Sequence, residues 1–490
     1  MNCSRMFGFV LMIVLALGLV LCPVNAAELW IGTATADITP DKPVALAGNF
    51  STRISKKPET PIIAVALALE SKAGGKPAQQ ALIVSCDLVA IRDGVQERFR
   101  EKLKPLLPDL DMRRAFLTAT HTHTAPLTME LRENRYLYDI PKEDVMQPAE
   151  YVTFLIERLT RAATQAWQGR KLGGVSWTLG HAVVGQNRRA VYADGRAKMY
   201  GNSNDAQFRG LEGPEDHAVE MLFFWNATKQ LKAVAINLAC PAQELESHRA
   251  INADYWHEVR QRLQKKFSPK LCVLGWTSAA GDQSPHLMYR KAAEERMLKA
   301  RGLTRAQEIG RRISNAVMDT FDIAKADIRS DAPFVHAVED LQLPPRKILP
   351  RECEDAKRNI PVLTQKPDNY SRTMLGREKE VVRRFEEADK LPPYQMELHV
   401  LRVGDVAIAT NPFELFLDYG VQMKARSPAI QTFLIQHACN AGLYLPTPKA
   451  IEGGHYSGLP HTNLVGPEGG QILVDRTVEA IKALWPAAAK

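Results

Sequence analysis

Arg114-Ala115-Phe116-Leu117-Thr118-Ala119-Thr120-His121-Thr122-His123-Thr124-Ala125-Pro126 joins an apolar run to a polar turn that carries two histidines. The apolar half reads as a buried strand. Upstream, residues 81–86 (ALIVSC) form another β-rich run, and residues 95–103 between the two have helical spacing. Strand, helix, strand is the signature of an α/β fold. Histidines at i and i+2 on a strand end point to one face. Paired imidazoles there suit a metal ligand with a proton shuttle beside it. Two histidines hydrogen-bonded within a turn is the other reading of the same spacing.

The alternation continues along the chain. Residues 150–167, 255–267 and 471–484 have helical apolar spacing. Residues 218–225 and 231–238 read as strands joined by the turn Asn226-Ala227-Thr228, and 271–276 as a further strand. Residues 291–321 are helical with a break near Gly302, and Thr304 with Gln307 makes a capping box for the second half. Residues 372–390 are charged and helical, and 396–403 with 406–410 predict a hairpin around Gly404-Asp405. The segment 332–368 carries six prolines and reads as an excursion or lid. The order of elements does not fit an eightfold barrel. The expected fold is α/β, with mixed β-sheets flanked by helices in one large catalytic domain over residues 27–490.

The 490 residues are 45% hydrophobic and 24% charged, an ordinary globular composition. A net charge of +8 is spread along the chain without a dense Lys/Arg block, so nucleic acid is not an expected partner. A basic surface still favours anionic substrates or membrane surfaces. Arg5 precedes an apolar run over residues 7–21, and Val24-Asn25-Ala26 supplies small residues at a cleavage point. This is a signal-peptide pattern over residues 1–26, and the run is short for a membrane span. The mature protein is therefore expected outside the cytoplasm, periplasmic or secreted. Cys86, Cys240, Cys272, Cys353 and Cys439 remain, too scattered to make a disulfide framework.

Several constellations then compete with structural explanations. Gly281-Asp282-Gln283-Ser284-Pro285-His286 follows a strand, and a tight turn there exposes side chains at a sheet edge. Ser284 reads as a nucleophile, a substrate-orienting hydroxyl, or part of an ordinary turn. Asn411-Pro412-Phe413-Glu414 has the form of a helix capping box, which competes with a metal-ligand role for Glu414. Tyr444 lies beyond the strand over 432–437 and reads as core or site. His257-Glu258 lacks the second histidine of a zinc-protease helix, since position 261 is Gln.

Taken together these segments resemble the neutral/alkaline ceramidase family in its N-terminal catalytic domain. Ile31-Gly32-Thr33-Ala34-Thr35-Ala36-Asp37-Ile38-Thr39-Pro40 resembles its opening G-x-x-x-x-D-I-T-P, and residues 120–126 its T-H-T-H-S-G-P. Asn187-Arg188-Arg189 resembles its N-R segment. Gly281-Asp282-Gln283-Ser284-Pro285 resembles its G-D-x-S-P-N, with His286 in place of Asn. Val465-Gly466-Pro467-Glu468-Gly469-Gly470 resembles its closing segment, and the matches are collinear from about residue 30 to 485.

The resemblance implies a zinc-dependent amidase that cleaves the N-acyl bond of ceramide or another small-molecule or lipid amide. It implies His121, Glu414 and Tyr444 as zinc ligands, His123 as the catalytic histidine, Ser284 as the motif serine and Arg188 as the arginine near the site. Two departures stand out. The family's second ligand histidine is replaced by Cys240 in Leu238-Ala239-Cys240-Pro241. A thiolate is a good zinc ligand, so Cys240 is the expected substitute, with His248 and His257 as alternatives or a site that binds metal poorly. The chain also stops where longer members continue into an immunoglobulin-like domain. The competing functional readings are a metal-poor, non-catalytic binding protein on this scaffold and a hydrolase of another amide or ester. Peripheral membrane contact is compatible with both, and the sequence leaves the oligomeric state open.

Overall fold

A computed structural model describes residues 28–49, 51–92, 94–129 and 138–485. The expected signal peptide over residues 1–26 lies outside the described residues. Eight strands build the first sheet: β1 (Glu28–Asp37), β2 (Ile63–Ala73), β3 (Lys76–Cys86), β4 (Ala115–Ala119), β5 (Lys171–His181), β6 (Ala218–Asn226), β7 (Leu231–Leu238) and β8 (Cys272–Thr277). Their order is β8-β7-β6-β5-β1-β2-β3-β4, antiparallel except for the outer pairs β7/β8 and β3/β4. A second sheet runs β9 (Phe334–Leu343), β10 (Tyr394–Val403), β11 (Val406–Thr410), β12 (Gln431–Ile435), with only the β11/β12 pair parallel.

Strand composition dictates the stacking. On β2, Ala64, Ala66 and Ala68 face one apolar cluster with Leu155 and Leu159 of the helix Pro148–Gln168. Val65, Leu67 and Leu69 face the other way, into a cluster with Leu401, Ile408 and Phe433 of the second sheet. A strand apolar on both faces must be covered on both. The second sheet repeats the pattern: Leu401 and Val403 point inward, while Leu398 and Val400 pack outward against Leu473 and Val478 of the helix Pro467–Ala483. The result is four layers, helices–sheet–sheet–helices. A third outer cluster joins Phe223 and Val234 to Trp256 and Ile313 of the helices Tyr255–Lys266 and Arg305–Ala326. Among the described residues no helix is long and apolar enough to cross a membrane.

Two local expectations are corrected. The segment 332–368 is not a lid. It holds β9, antiparallel along the whole of β10, and the helix Pro350–Thr364. Pro333, Pro344 and Pro345 sit just outside the strand and Pro350 is at the first turn of the helix, where a missing N–H costs little. Nor does Glu414 stand in the first turn of a helix. The helix begins at Leu417, whose N–H donates to Asp282 Oδ1 at 2.9 Å. Asn411 Oδ1 instead closes a turn by accepting from the Phe413 N–H at 3.1 Å.

Candidate active site

The ends of both sheets converge beyond β4, β7, β8 and β12. Ala242 N–H donates to Thr120 O, Gln436 N–H to Thr277 O at 2.9 Å, and Ala119 N–H to His437 O at 3.2 Å. These bonds carry the chain after β12 across to β4 and set His437 beside His121. The two imidazoles stack with centroids 4.2 Å apart and planes 2° apart. Glu414 and Tyr444 are register partners in a two-residue parallel ladder, Glu414–Leu415 against Tyr444–Leu445. That pairing delivers a carboxylate and a phenol to the same spot.

A cavity of about 1380 Å³ opens here, and His121, His123, Arg188, Glu414, His437 and Tyr444 all line it. Ten non-glycine residues among the described ones have positive φ, and four of them, His121, Tyr200, His437 and Leu443, line this cavity. Such backbone costs on the order of 1 kcal/mol or more per residue and persists where surrounding structure enforces it, commonly at functional sites.

His121 Nδ1 lies 2.7 Å from the Val89 carbonyl, which can only accept, so Nδ1 carries the proton and the Nε2 lone pair faces the cavity. Nε2 stands 3.9 Å from Glu414 Oε2 and 3.0 Å from His123 Nε2. His123 in turn places Nδ1 3.6 Å from Glu246 Oε2. Gly48, at φ +86°, packs flat on the His123 ring: a Cβ there would meet Cγ at 2.5 Å. Arg53 holds the His123 carbonyl at 2.6 Å.

Burial keeps the imidazoles neutral. It lowers the pKa of His121, and lowers His123 and His437 much further, helped by the neighbouring His121. Burial opposes ionisation of Glu246 too, but the bonds from His286 and Gln243 outweigh it and bring its pKa to about 2. Burial, then the Glu414 carboxylate, push the Tyr444 phenol well above its usual range, so it remains a donor. Arg188 donates to Tyr200 at 2.8 Å and to the Gly281 carbonyl at 2.9 Å, and reaches Tyr444 Oη at 3.4 Å.

Of the residues singled out in the sequence, the structure brings His121, His123, Arg188, Glu414 and Tyr444 into one cavity. It does not bring in Ser284, which is fully buried behind Tyr200. Ser284 Oγ lies 3.2 Å from Tyr200 Oη and accepts from the His286 N–H at 3.1 Å. The motif around it is scaffold: Asp282 caps the helix at Leu417 and accepts from Asn187 Nδ2 at 2.8 Å, and a Cβ on Gly281 would strike the Glu414 carbonyl at 2.3 Å. Cys240 is likewise outside the cavity. It is 1% exposed in the apolar cluster with Leu238, Tyr255 and Trp256, and burial raises its thiol pKa far out of the thiolate range. His248 pairs with Glu59 at 3.0 Å near the surface, and His257 is half-buried on its helix; neither lines the cavity. The sequence reading missed His437 and Glu246. His437 closes the strand-like run 432–437 as His121 follows 115–119, and that shared position was the available signal.

A tetrahedral zinc with N and O ligands at ~2.0–2.2 Å spans a ligand-to-ligand separation of about 3.4 Å. His121 Nε2 and Glu414 Oε2, 3.9 Å apart with Tyr444 beside them, are close to that spacing, whereas the ring of His437, stacked parallel on His121, does not aim at the same point. Among the described residues one set of three His, Cys, Asp or Glu has ligand atoms mutually within 4.8 Å, and it lies elsewhere: Glu397, His399 and Cys439. Its carboxylate is already forked by Arg100 at 2.7 and 2.7 Å, which offsets the charge a cation would need.

No family model matches this chain, and no curated protein sequence does. Solved structures that share its architecture include two ceramidases. Neutral ceramidase from Pseudomonas aeruginosa superposes with a TM-score of 0.68 at 16% identity, over 95% of this chain and 76% of that one. A ceramidase complexed with C2 superposes with a TM-score of 0.66 at 15% identity, over 94% of this chain and 75% of that one. At these identities the likeness establishes a ceramidase-like fold.

Proposed function

We propose that this chain is an exported, metal-dependent amide hydrolase that cleaves an N-acyl bond, with N-acylsphingosine as the substrate suggested by the ceramidase likeness. The observation that carries the reading is the tautomer of His121, fixed by the Val89 carbonyl, which aims a lone pair into the cavity beside Glu414 and Tyr444. His121, Glu414 and Tyr444 would hold a zinc ion, with His437 stacked on the His121 ring and its Nε2 against the Gln436 amide rather than aimed at the ion. When bound, zinc polarises the acyl carbonyl and lowers the pKa of water toward ~7.

The chain's own groups supply the proton traffic. His123, kept neutral by burial, accepts a proton at Nε2 as water adds to the carbonyl carbon. Glu246 beside Nδ1 steadies the imidazolium, and the same proton passes to the leaving amine as the C–N bond breaks. Arg188, a fixed cation that reaches Tyr444 Oη at 3.4 Å, faces the oxyanion side. Ser284 positions Tyr200 and His286.

The test is a panel of N-acyl lipids and soluble amides offered to chelated and zinc-reloaded protein. Release of amine and fatty acid that stops on chelation and returns with zinc supports the reading. Protein that binds zinc poorly and cleaves nothing in the panel is a binding protein on this scaffold. Export is checked by N-terminal sequencing of the mature protein, expected to begin near Ala27 or Glu28.

A further inference from the structure

Glu246 lies between two imidazoles. Its Oε2 is 3.6 Å from His123 Nδ1, and its Oε1 is 3.1 Å from His286 Nε2. Glu246 and His123 line the cavity, whereas His286 stands outside its lining. One guanidinium fixes the backbone of both cavity residues: Arg53 donates to the Glu246 carbonyl at 2.5 Å and to the His123 carbonyl at 2.6 Å. The rotation of the Glu246 side chain is then fixed by one donor at each carboxylate oxygen. Gln243 Nε2 donates to Oε2 at 3.0 Å, and His286 Nε2 donates to Oε1. His286 is itself anchored. Its backbone N–H donates to Ser284 Oγ at 3.1 Å, and Arg305 holds the neighbouring Pro285 carbonyl at 3.2 Å.

The far nitrogen of His286 decides how much of the Glu246 charge survives. Nδ1 is 3.5 Å from Glu244 Oε2, a buried oxygen with no hydrogen-bond partner among the described residues. Nε2 carries a proton to bond the ionised Glu246, and two facing lone pairs at Nδ1 and Glu244 would repel, so that pair holds one proton as well. The ring is either an imidazolium beside a carboxylate or neutral beside a carboxylic acid. In both states His286 and Glu244 sum to zero, and Glu246 keeps its full negative charge beside His123. Burial raises the Glu244 pKa to about 7. Burial opposes a charged His286 too, but the bond to Glu246 and the charge of Glu244 outweigh it and raise its pKa. The other ionisable groups on the surrounding elements are occupied or neutral. Asp254 accepts from the Leu245 and Tyr255 N–H groups, Arg305 holds its carbonyl, and the Tyr200 ring meets His286 edge-on at 5.8 Å with its phenol kept protonated by burial.

We infer that His286 is a positioning residue for the reaction at His123: backed by Glu244, it locks the Glu246 carboxylate beside the His123 ring without cancelling its charge. The effect on turnover rests on the hydrolase reading, but the clamp itself does not.

The experiment has a kinetic arm and a titration arm. Turnover of N-dodecanoylsphingosine is measured on the zinc-loaded full chain. His286→Ala should lower kcat ~10-fold with KM and zinc content little changed, and His286→Gln, which keeps a donor, should recover part of the loss. In a Glu246→Gln background His286→Ala should cost nothing further. A loss of the same size in both backgrounds overturns the inference. The clamp is read without substrate by histidine-selective NMR titration of the chelated full chain, the His286 signal being the one absent from His286→Gln. Its pKa should lie above the ordinary ~6.5 and fall in Glu246→Gln and in Glu244→Gln. A value unmoved in both variants overturns the clamp, whatever the protein cleaves. A coupled titration with no amide cleaved upholds the clamp and sinks the hydrolase reading. Cleavage with additive losses and an unmoved His286 pKa does the reverse.

Discussion

His121 and His123 meet nitrogen to nitrogen, Nε2 to Nε2 at 3.0 Å, and one proton between them makes that contact a hydrogen bond. The Val89 carbonyl claims the His121 proton at Nδ1. The Glu246 carboxylate, its pKa lowered to about 2, lies 3.6 Å from the His123 Nδ1, beyond hydrogen-bond reach, and bears on that ring through its charge. With His121 Nε2 an acceptor, His123 Nε2–H is the donor across the 3.0 Å contact, and a cation on the His121 lone pair would shift that proton to Nδ1, the side of Glu246. The structure thus assigns the two rings different outer partners, a neutral carbonyl and a carboxylate, and so different chemistry.

If the roles divide as those partners suggest, His121→Ala loses zinc and turnover together. His123→Ala keeps zinc and loses turnover by ~100-fold or more, the scale of a general acid–base group. Metal content by elemental analysis, set beside kcat, reads both. Equal zinc loss in the two variants would make both histidines ligands.

Gly48 tests the positioning of His123 without altering its chemistry. Its φ of +86° and the 2.5 Å that a Cβ would leave to His123 Cγ admit only glycine. Gly48→Ala should displace the ring, lowering kcat ~10- to 100-fold with KM little changed, and cost ~1–3 kcal/mol of stability. A variant with wild-type kcat would show that His123 does not need this wall.

What could be read in the sequence was what neighbours dictate. The strand over 115–119, the helix Val95–Leu103 and the capping box of Thr304 with Gln307 appear where local pattern put them. β2 gives no local strand signal, because Ile63–Ala73 is apolar on both faces and so lacks the alternation that marks a half-buried strand. At Glu414 the local signal misled: Asn-Pro-x-Glu spells a helix start, but pairing with Tyr444, thirty residues on, holds the glutamate in a strand. Cys240 takes its expected role from its place in a motif, whereas the direction of its thiol is set by packing against Tyr255 and Trp256. His437 depends on a crossover between sheets, which no short window contains.

Cys240 and His437 should therefore separate cleanly. Cys240→Ser should leave zinc affinity unchanged and cost ~1–3 kcal/mol, since a hydroxyl replaces a thiol among apolar side chains. His437→Ala removes the ring stacked on His121 and should weaken zinc binding ~10-fold, the scale for a group that orients a ligand. X-ray absorption on the zinc protein gives an independent answer: a first shell of nitrogen and oxygen alone agrees, and sulfur near ~2.3 Å would restore Cys240 to the site.

The last expectation concerns stability against pH. Lys424 Nζ sits between two carboxylates, 2.8 Å from Asp216 and 3.2 Å from Glu220. One ammonium neutralises one carboxylate. Asp216 ionises easily, since Lys424 outweighs the burial that opposes it. Burial raises Glu220 to about 7, and its Oε2 has no hydrogen-bond partner. Between pH ~4.5 and about 7 the folded chain holds a proton on Glu220 that the unfolded chain has released. The stability tied to that proton is complete below pH ~4.5 and is lost as pH climbs through that window, by at most ~3 kcal/mol. Glu220→Gln fixes the neutral state. Wild type and variant should melt together at pH 5, and the variant should be the more stable at pH 8. A gap of the same size at both values would mean that Glu220 is ionised throughout, with Lys424 serving both carboxylates.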